Sequence, residues 1–125
     1  MSRILIVDDE PDVLMAIRIT LESVGHTVLE APNGATALDR AHESPDGILL
    51  DIRLPDIDGL EVLRRLKADD ALSSIPVVCI SAHSSPGTIR SAFDLGAAGY
   101  VGKPFDIGEL RSTVANVMGP NPPGD

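Results

Sequence analysis

Four places in the chain carry side chains that could work together chemically. Asp8, Asp9 and Glu10 follow the apolar run Ile4–Val7, Asp51 closes the run Gly47–Leu50, Ser81 closes Val77–Ile80, and Lys103-Pro104 comes just after Gly99–Val101. Gathered in one place, Asp8, Asp9 and Asp51 would repel one another unless a cation neutralised them. A site built only of carboxylate oxygens suits Mg2+ or Mn2+. An amine and a hydroxyl beside such a centre can neutralise and hold the oxygens of a phosphoryl group in transfer. One of the carboxylates can then act as nucleophile and become an acyl phosphate. Taken singly, each residue also has an ordinary reading. The acidic cluster before Pro11 can cap a helix and complement its dipole, Asp51 can be a loop carboxylate, Ser81 a turn residue and Lys103 a solvated lysine. Capping alone does not account for all of them standing at four strand ends.

The elements that must position these residues follow from the apolar pattern. Ile4–Val7, Thr27–Leu29, Gly47–Leu50, Val77–Ile80 and Gly99–Val101 are short, rich in Val, Ile and Leu, and lack alternation, as expected of strands buried on both faces. Between them lie stripes with helical spacing, Leu14, Ile17, Leu21 and Val24 in one segment and Leu60, Leu63 and Leu66 in another. Pro11 suits a first helical turn, Asn33 an N-cap, and Gly25 and Gly96 C-terminal caps. Asp58 with Glu61 and Asp106 with Glu109 have capping-box spacing. Strands alternating with helices predict a doubly wound α/β fold, (βα) five times, with a parallel sheet sandwiched between two helical layers. In such a sheet ligands bind beyond the carboxyl ends of the strands, and there the acids, the hydroxyl and the amine fall.

With 125 residues, 43% of them hydrophobic and 23% charged, the chain has the size and composition of one globular domain. Residues 1–118 are expected to form it, and the Gly/Pro stretch 119–125 reads as a disordered tail or the start of a linker. The apolar runs are too short to span a membrane and no signal-peptide pattern is present, so a cytoplasmic location is expected. A net charge of −9 argues against direct nucleic-acid binding, which depends on Lys and Arg displacing counterions. The lone Cys79 lies in an apolar run and reads as core packing. His26, His42 and His83 read as surface residues. Met15 and Ile19, four apart and off the Leu14–Ile17–Leu21 stripe, read either as an exposed apolar patch beside the acidic cluster, where a partner helix could dock, or as a face buried under a neighbouring helix.

The ordered set Ile4-Leu5-Ile6-Val7-Asp8-Asp9-Glu10, Leu50-Asp51-Ile52-Arg53-Leu54-Pro55-Asp56-Ile57-Asp58-Gly59, Ser81-Ala82, Tyr100 and Lys103-Pro104-Phe105 resembles the receiver domains of two-component response regulators over roughly Ser2 to Met118. The resemblance implies a flavodoxin-like sheet of order 2-1-3-4-5. It implies Asp51 as phosphoacceptor, Asp8 and Asp9 as the acidic metal pair, and the backbone carbonyl of Arg53 as a further ligand of Mg2+ or Mn2+. Lys103, on a cis peptide to Pro104, would contact the phosphoryl group, and Ser81 and Tyr100 would form the switching pair. Further implications are a sensor histidine kinase or histidine phosphotransfer protein as donor, and a downstream effector or linked output domain as target. A homodimer through the fourth helix, fifth strand and fifth helix is one form that output can take. Such a domain is a signalling phosphoacceptor rather than an enzyme, although it assists its own phosphorylation and dephosphorylation. Ser81 stands where threonine is commoner and Leu54 where methionine is usual, while Arg53 and His83 hold the variable places two residues after Asp51 and Ser81, beside the path of a hydrolytic water.

Three rival readings meet the same residues. A haloacid-dehalogenase-type phosphatase needs a second aspartate two residues after the first, where this chain has Arg53. A dinucleotide-binding domain needs a glycine-rich turn after the first strand, where Asp8-Asp9-Glu10 would repel a pyrophosphate. A pseudo-receiver serving only as an interaction module remains the alternative, and the complete acidic set argues against it.

Overall fold

The computed structural model describes residues 2–82 and 85–118, apart from the side chain of Met118. His83 and the stretch 119–125, about which the sequence raised expectations, lie outside the described residues. Strands and helices alternate as β1 (Arg3–Val7), α1 (Pro11–Glu22), β2 (Thr27–Ala31), α2 (Gly34–Arg40), β3 (Gly47–Asp51), α3 (Gly59–Ala68), β4 (Val77–Ser81), α4 (Pro86–Asp94), β5 (Gly99–Gly102) and α5 (Ile107–Met118). A 3-10 turn, Ala41–Glu43, follows α2. The strands pair in parallel in the order β2-β1-β3-β4-β5, the flavodoxin-like order.

Strand alternation divides the interior in two. Leu5, Val7, Ile48, Leu50, Val77 and Cys79 face one core, which Ala37 of α2, Val62, Leu63 and Leu66 of α3, and Ala92 of α4 complete. Ile4, Ile6, Leu49, Val78, Ile80 and Val101 face the other, closed by Ile17 and Leu21 of α1 and Leu110 and Val114 of α5. Neighbouring strand residues therefore bury against opposite helical layers, which is why the strands read as unbroken apolar runs. Each fully buried Leu or Ile stabilises the fold by roughly 1.5–3 kcal/mol relative to exposure. Cys79 is buried, and burial pushes its thiol up to about 12, consistent with packing rather than reactivity.

Most boundaries follow local chemistry. Pro11 opens α1, Asn33 Oδ1 accepts from the Thr36 amide at 2.8 Å, and Asp106 Oδ1 accepts from the Gly108 amide at 3.0 Å. Gly96 takes φ of 108° just past α4, where the Gly96 and Ala97 amides donate to Phe93 and Ala92. Some expectations need correction. Val24 is exposed, because α1 ends at Glu22 and the chain turns through Gly25, at φ 96°. On α3 the buried stripe is Val62, Leu63 and Leu66, with Leu60 only partly covered. Asp58 caps α3 through the Leu60 amide, but Glu61 pairs with Arg64 and Arg65 instead of closing a capping box. Strand β2 runs two residues longer than its apolar core, to Ala31.

His26 is not an ordinary surface residue. It is half-buried, its Nδ1 is enclosed without a hydrogen-bond partner among the described residues, and burial lowers its pKa from the usual 6.5. An unfolded chain therefore binds this proton more readily than the folded one, so the stability linked to His26 is intact above about pH 6.5 and is lost as pH falls below it. In chemical denaturation from pH 7.5 to 5.0, His26→Gln should lose less stability than the wild-type protein. Equal losses would show that His26 is not responsible.

Candidate functional site

The backbone brings the polar residues to one edge. Asp8 comes directly after β1, and its amide donates to the Ala31 carbonyl at the end of β2, 3.1 Å away. Asp51 is the last residue of β3 and Ser81 the last of β4. Lys103 follows β5, its amide donates to the Ser81 carbonyl at 2.9 Å, and its peptide bond to Pro104 is cis. The Lys103 ammonium lies 2.8 Å from Asp8 Oδ2, 3.0 Å from Asp51 Oδ2 and 3.4 Å from Glu10 Oε1. Asp8 and Asp51 are almost wholly buried, at 1% and 3% exposure, whereas Asp9 and Glu10 are exposed at the rim.

The acidic cluster is not spent on capping. Glu10, at the N-cap of α1, makes no side-chain cap bond, and Asp8 Oδ1 accepts from the amide of Glu10 at 2.9 Å. Carboxylate oxygens of Asp8, Asp9, Glu10 and Asp51 lie within 4.8 Å of one another, a donor set that fits a hard divalent cation. Sequence reasoning left Glu10 outside the metal set. Its only signal was its place as the third consecutive acid before Pro11.

Charge balance explains the titration of the centre. Burial raises the Asp51 pKa, and the nearby Asp8 charge adds to this. The Arg53 amide, 3.0 Å from Asp51 Oδ1, and Lys103 work in the opposite direction without cancelling it. For Lys103, burial alone would lower the pKa, but its bonds to Asp8 and Asp51 outweigh burial and the ammonium is held charged. The two directions are compatible, because one ammonium is shared by two buried carboxylates. Each carboxylate still faces an uncompensated neighbour, and the centre keeps an excess of negative charge when both are ionised.

A cleft of about 800 Å3 opens over this centre, lined among others by Asp9, Glu10, Asp51, Arg53, Leu54 and Lys103. Gly59 holds its far wall close. A Cβ there would collide with Ile52 Cα and sit 2.5 Å from the Asp51 carbonyl oxygen, so only glycine allows α3 to start against the end of β3. Ser81 is buried at the end of β4 and is not among the residues lining the cleft, although Ala82 is. Tyr100 is half-buried against the core under α3 and α4, and it pairs with Cys79. Alternation puts Ser81 on the same sheet face as Cys79, hence on the Tyr100 side. Met15 and Ile19 are 62% and 61% exposed, so they form the open patch on α1 and are not covered by a neighbouring helix.

A doubly wound parallel sheet with buried acids and a lysine at its carboxyl edge defines a class, and comparison with known proteins specifies the family. Residues 4–115 match the family model of the response regulator receiver domain, and the chain belongs to that family. It is 37% identical over 118 residues to the sporulation initiation phosphotransferase F of Bacillus subtilis, with 94% of each chain covered. It is 38% identical over 119 residues to the DNA-binding dual master transcriptional regulator RpaA of Synechocystis, covering 94% of this chain but 49% of that protein, so it spans about half of that relative. Among solved structures it resembles the receiver domain of a sensor histidine kinase of Pseudomonas aeruginosa, described with a magnesium ion coordinated in its active-site cleft. There the TM-score is 0.86 at 29% identity, with 95% of this chain and 98% of that chain covered. Receiver domains are signalling domains of two-component systems rather than enzymes in the ordinary sense. Among the described residues no helix is long and apolar enough to cross a membrane.

The burial cost at Asp51 has a measurable consequence. Because its folded pKa is raised, ionised Asp51 opposes folding at neutral pH, and this cost vanishes as pH falls below the pKa of the unfolded carboxyl. Asp51→Asn, measured without divalent cations, should therefore stabilise the domain at pH 7.5, on the order of 1 kcal/mol. The advantage should shrink progressively towards pH 4. A variant less stable than wild type at pH 7.5 would mean that the Lys103 pairing outweighs desolvation.

Proposed function

We propose that this domain is a phosphorylation switch in which Asp51 accepts a phosphoryl group from a phosphohistidine on a sensor histidine kinase or phosphotransfer protein. The observation that carries the reading is the pair of buried carboxylates, Asp8 and Asp51, sharing the ammonium of Lys103, with Asp51 and Lys103 lining an open cleft. Asp8, Asp9, Asp51 and the backbone carbonyl of Arg53 would hold Mg2+ or Mn2+, with Glu10 at the rim. When bound, the cation supplies charge neutralisation for the incoming phosphoryl oxygens. In the transfer the P–N bond to the donor imidazole breaks, a P–O bond forms to an Asp51 carboxylate oxygen, and the imidazole takes up a proton. Lys103 is placed to hold the phosphoryl oxygens, since its ammonium already lies 3.0 Å from Asp51.

Ser81 and Tyr100 are the coupling pair in this reading. Drawing the Ser81 hydroxyl towards the phosphoryl group changes the space on the sheet face that Tyr100 shares, and the surface of α4, β5 and α5 follows as a population shift. That surface would then meet an effector protein, a linked output domain or a second copy of the chain. Residues 1–118 would make up the receiver unit, with 119–125 as tail or linker, working in the cytoplasm without contacting nucleic acid or membrane itself. The exposed Met15 and Ile19, one helical turn apart on α1 beside the acidic rim, would receive a helix of the phosphodonor.

Intact mass after incubation with a small acyl-phosphate donor, with and without Mg2+, tests the chemistry. A single Mg2+-dependent phosphate adduct on wild type, absent from Asp51→Asn, is expected. No adduct despite measurable Mg2+ binding would favour a pseudo-receiver acting by contacts alone. For the partner surfaces, a Met15→Glu, Ile19→Glu double variant should take phosphate from the small donor at the wild-type rate but from a phosphohistidine protein at least tenfold more slowly, a loss equivalent to about 1.4 kcal/mol. Tyr100→Ala should accept phosphate normally yet lose the phosphorylation-dependent change in effector affinity.

A further inference from the structure

The connection between β3 and α3, residues 52–58, forms one wall of the cleft and carries the Arg53 backbone. It must be held in place although Arg53, Pro55, Asp56 and Asp58 are all exposed. Two ties hold its ends. The Ile52 amide donates to the Ile80 carbonyl at 3.0 Å, and the Gly59 amide closes the turn onto the Ile52 carbonyl at 2.8 Å. The middle of the loop is tied from another direction. Asp56 Oδ1 and Oδ2 accept from the amides of Gly34 and Ala35, at 2.8 and 3.0 Å, at the start of α2. These two amides hold the Asp56 carboxyl below the usual carboxylate range, so the clamp is charged at neutral pH.

The fit is close on both sides. A Cβ at Gly34 would stand 2.9 Å from Val62 Cγ2, 3.0 Å from Ile57 Cβ and 3.4 Å from Asp56 Oδ1. Asp56 and Ile57 are the two loop residues between 52 and 58 that do not line the cleft, while Ile52, Arg53, Leu54, Pro55 and Asp58 do. The Asp56 carboxylate therefore faces away from the acidic centre and can act on it only through the loop backbone. The connection that receives it also leads back to the site, because the Ala31 carbonyl, three residues before Gly34, accepts the amide of Asp8.

We propose that Asp56 is a positioning residue for the acidic centre, clamping the β3–α3 loop to the first turn of α2 and so fixing the Arg53 backbone beside Asp51. This rests on the Asp51 reading for its effect on cation and phosphoryl binding, but the clamp itself is independent of that reading. Groups that orient ligands from outside the first coordination shell typically affect metal affinity by 10–100-fold when removed.

The test uses the full chain as wild type, Asp56→Ala, Asp56→Asn, and Asp69→Ala as a control that removes a half-buried carboxylate from a purely local turn elsewhere, where Asp69 Oδ1 accepts from the Ala71 amide. Calorimetric Mg2+ titration should show the dissociation constant raised about tenfold in Asp56→Ala, less in Asp56→Asn, whose amide oxygen can still accept one bond, and unchanged in the control. At saturating Mg2+ the rate of adduct formation in Asp56→Ala should return to that of wild type. Amide hydrogen exchange in metal-free protein should quicken at Arg53 as well as at Gly34 and Ala35. Faster exchange confined to Gly34 and Ala35, with Mg2+ affinity unchanged, would reduce Asp56 to a cap of α2 and overturn the proposal. If wild type takes up no Mg2+, the phosphoryl-acceptor reading fails, and exchange at Arg53 alone decides whether the clamp exists.

Discussion

Two buried carboxylates share one ammonium, and most of what is distinctive in this molecule depends on that imbalance. Removing Asp8 and Asp51 from water is costly, and Lys103 compensates only part of the cost. The remaining negative charge is unfavourable for the resting protein, and in the proposed reading it would serve to attract a divalent cation and, with that cation, a phosphoryl group. The exposed Asp9 and Glu10 extend the field to the mouth of the cleft.

Such a centre needs a rigid frame, and the parallel sheet provides one. Because every strand is covered on both faces, strand ends cannot shift without opening two cores at once, one under α2, α3 and α4 and the other under α1 and α5. Strand-to-strand hydrogen bonds continue into the loops, tying Asp8 to the end of β2, Ile52 to β4 and Lys103 to Ser81. The same alternation that fills both cores sets Ser81 and Tyr100 on one side of the sheet, so a change at the acidic edge has a short route to the face bearing α4.

The arrangement of the site was largely legible in the sequence. Asp8, Asp51, Ser81 and Lys103 each follow or end an apolar run, and a parallel sheet has one carboxyl edge, so the pattern alone predicts their convergence. Caps such as Pro11, Asn33 and Gly96 were readable because their chemistry is local. Features depending on which neighbour a side chain meets were not. Glu61 has capping-box spacing but finds Arg64 and Arg65 on its own helix. Val24 continues a stripe that the helix does not live long enough to use, and His26 is enclosed by a turn whose path no periodicity encodes.

What the sequence determined by itself is therefore the alternation of strands and helices, the two-sided burial of the sheet and the set of reactive groups at its edge. Each of these follows from the period of the apolar residues and the residue types that interrupt it. Tertiary structure alone decided how the charges are shared: that Lys103 spans Asp8 and Asp51, that Glu10 joins the acidic set, and that Asp56 reaches across to α2. Those contacts join residues 21 to 95 positions apart in the chain or turn on the direction of a single side chain. Their geometry exists only once both cores have closed.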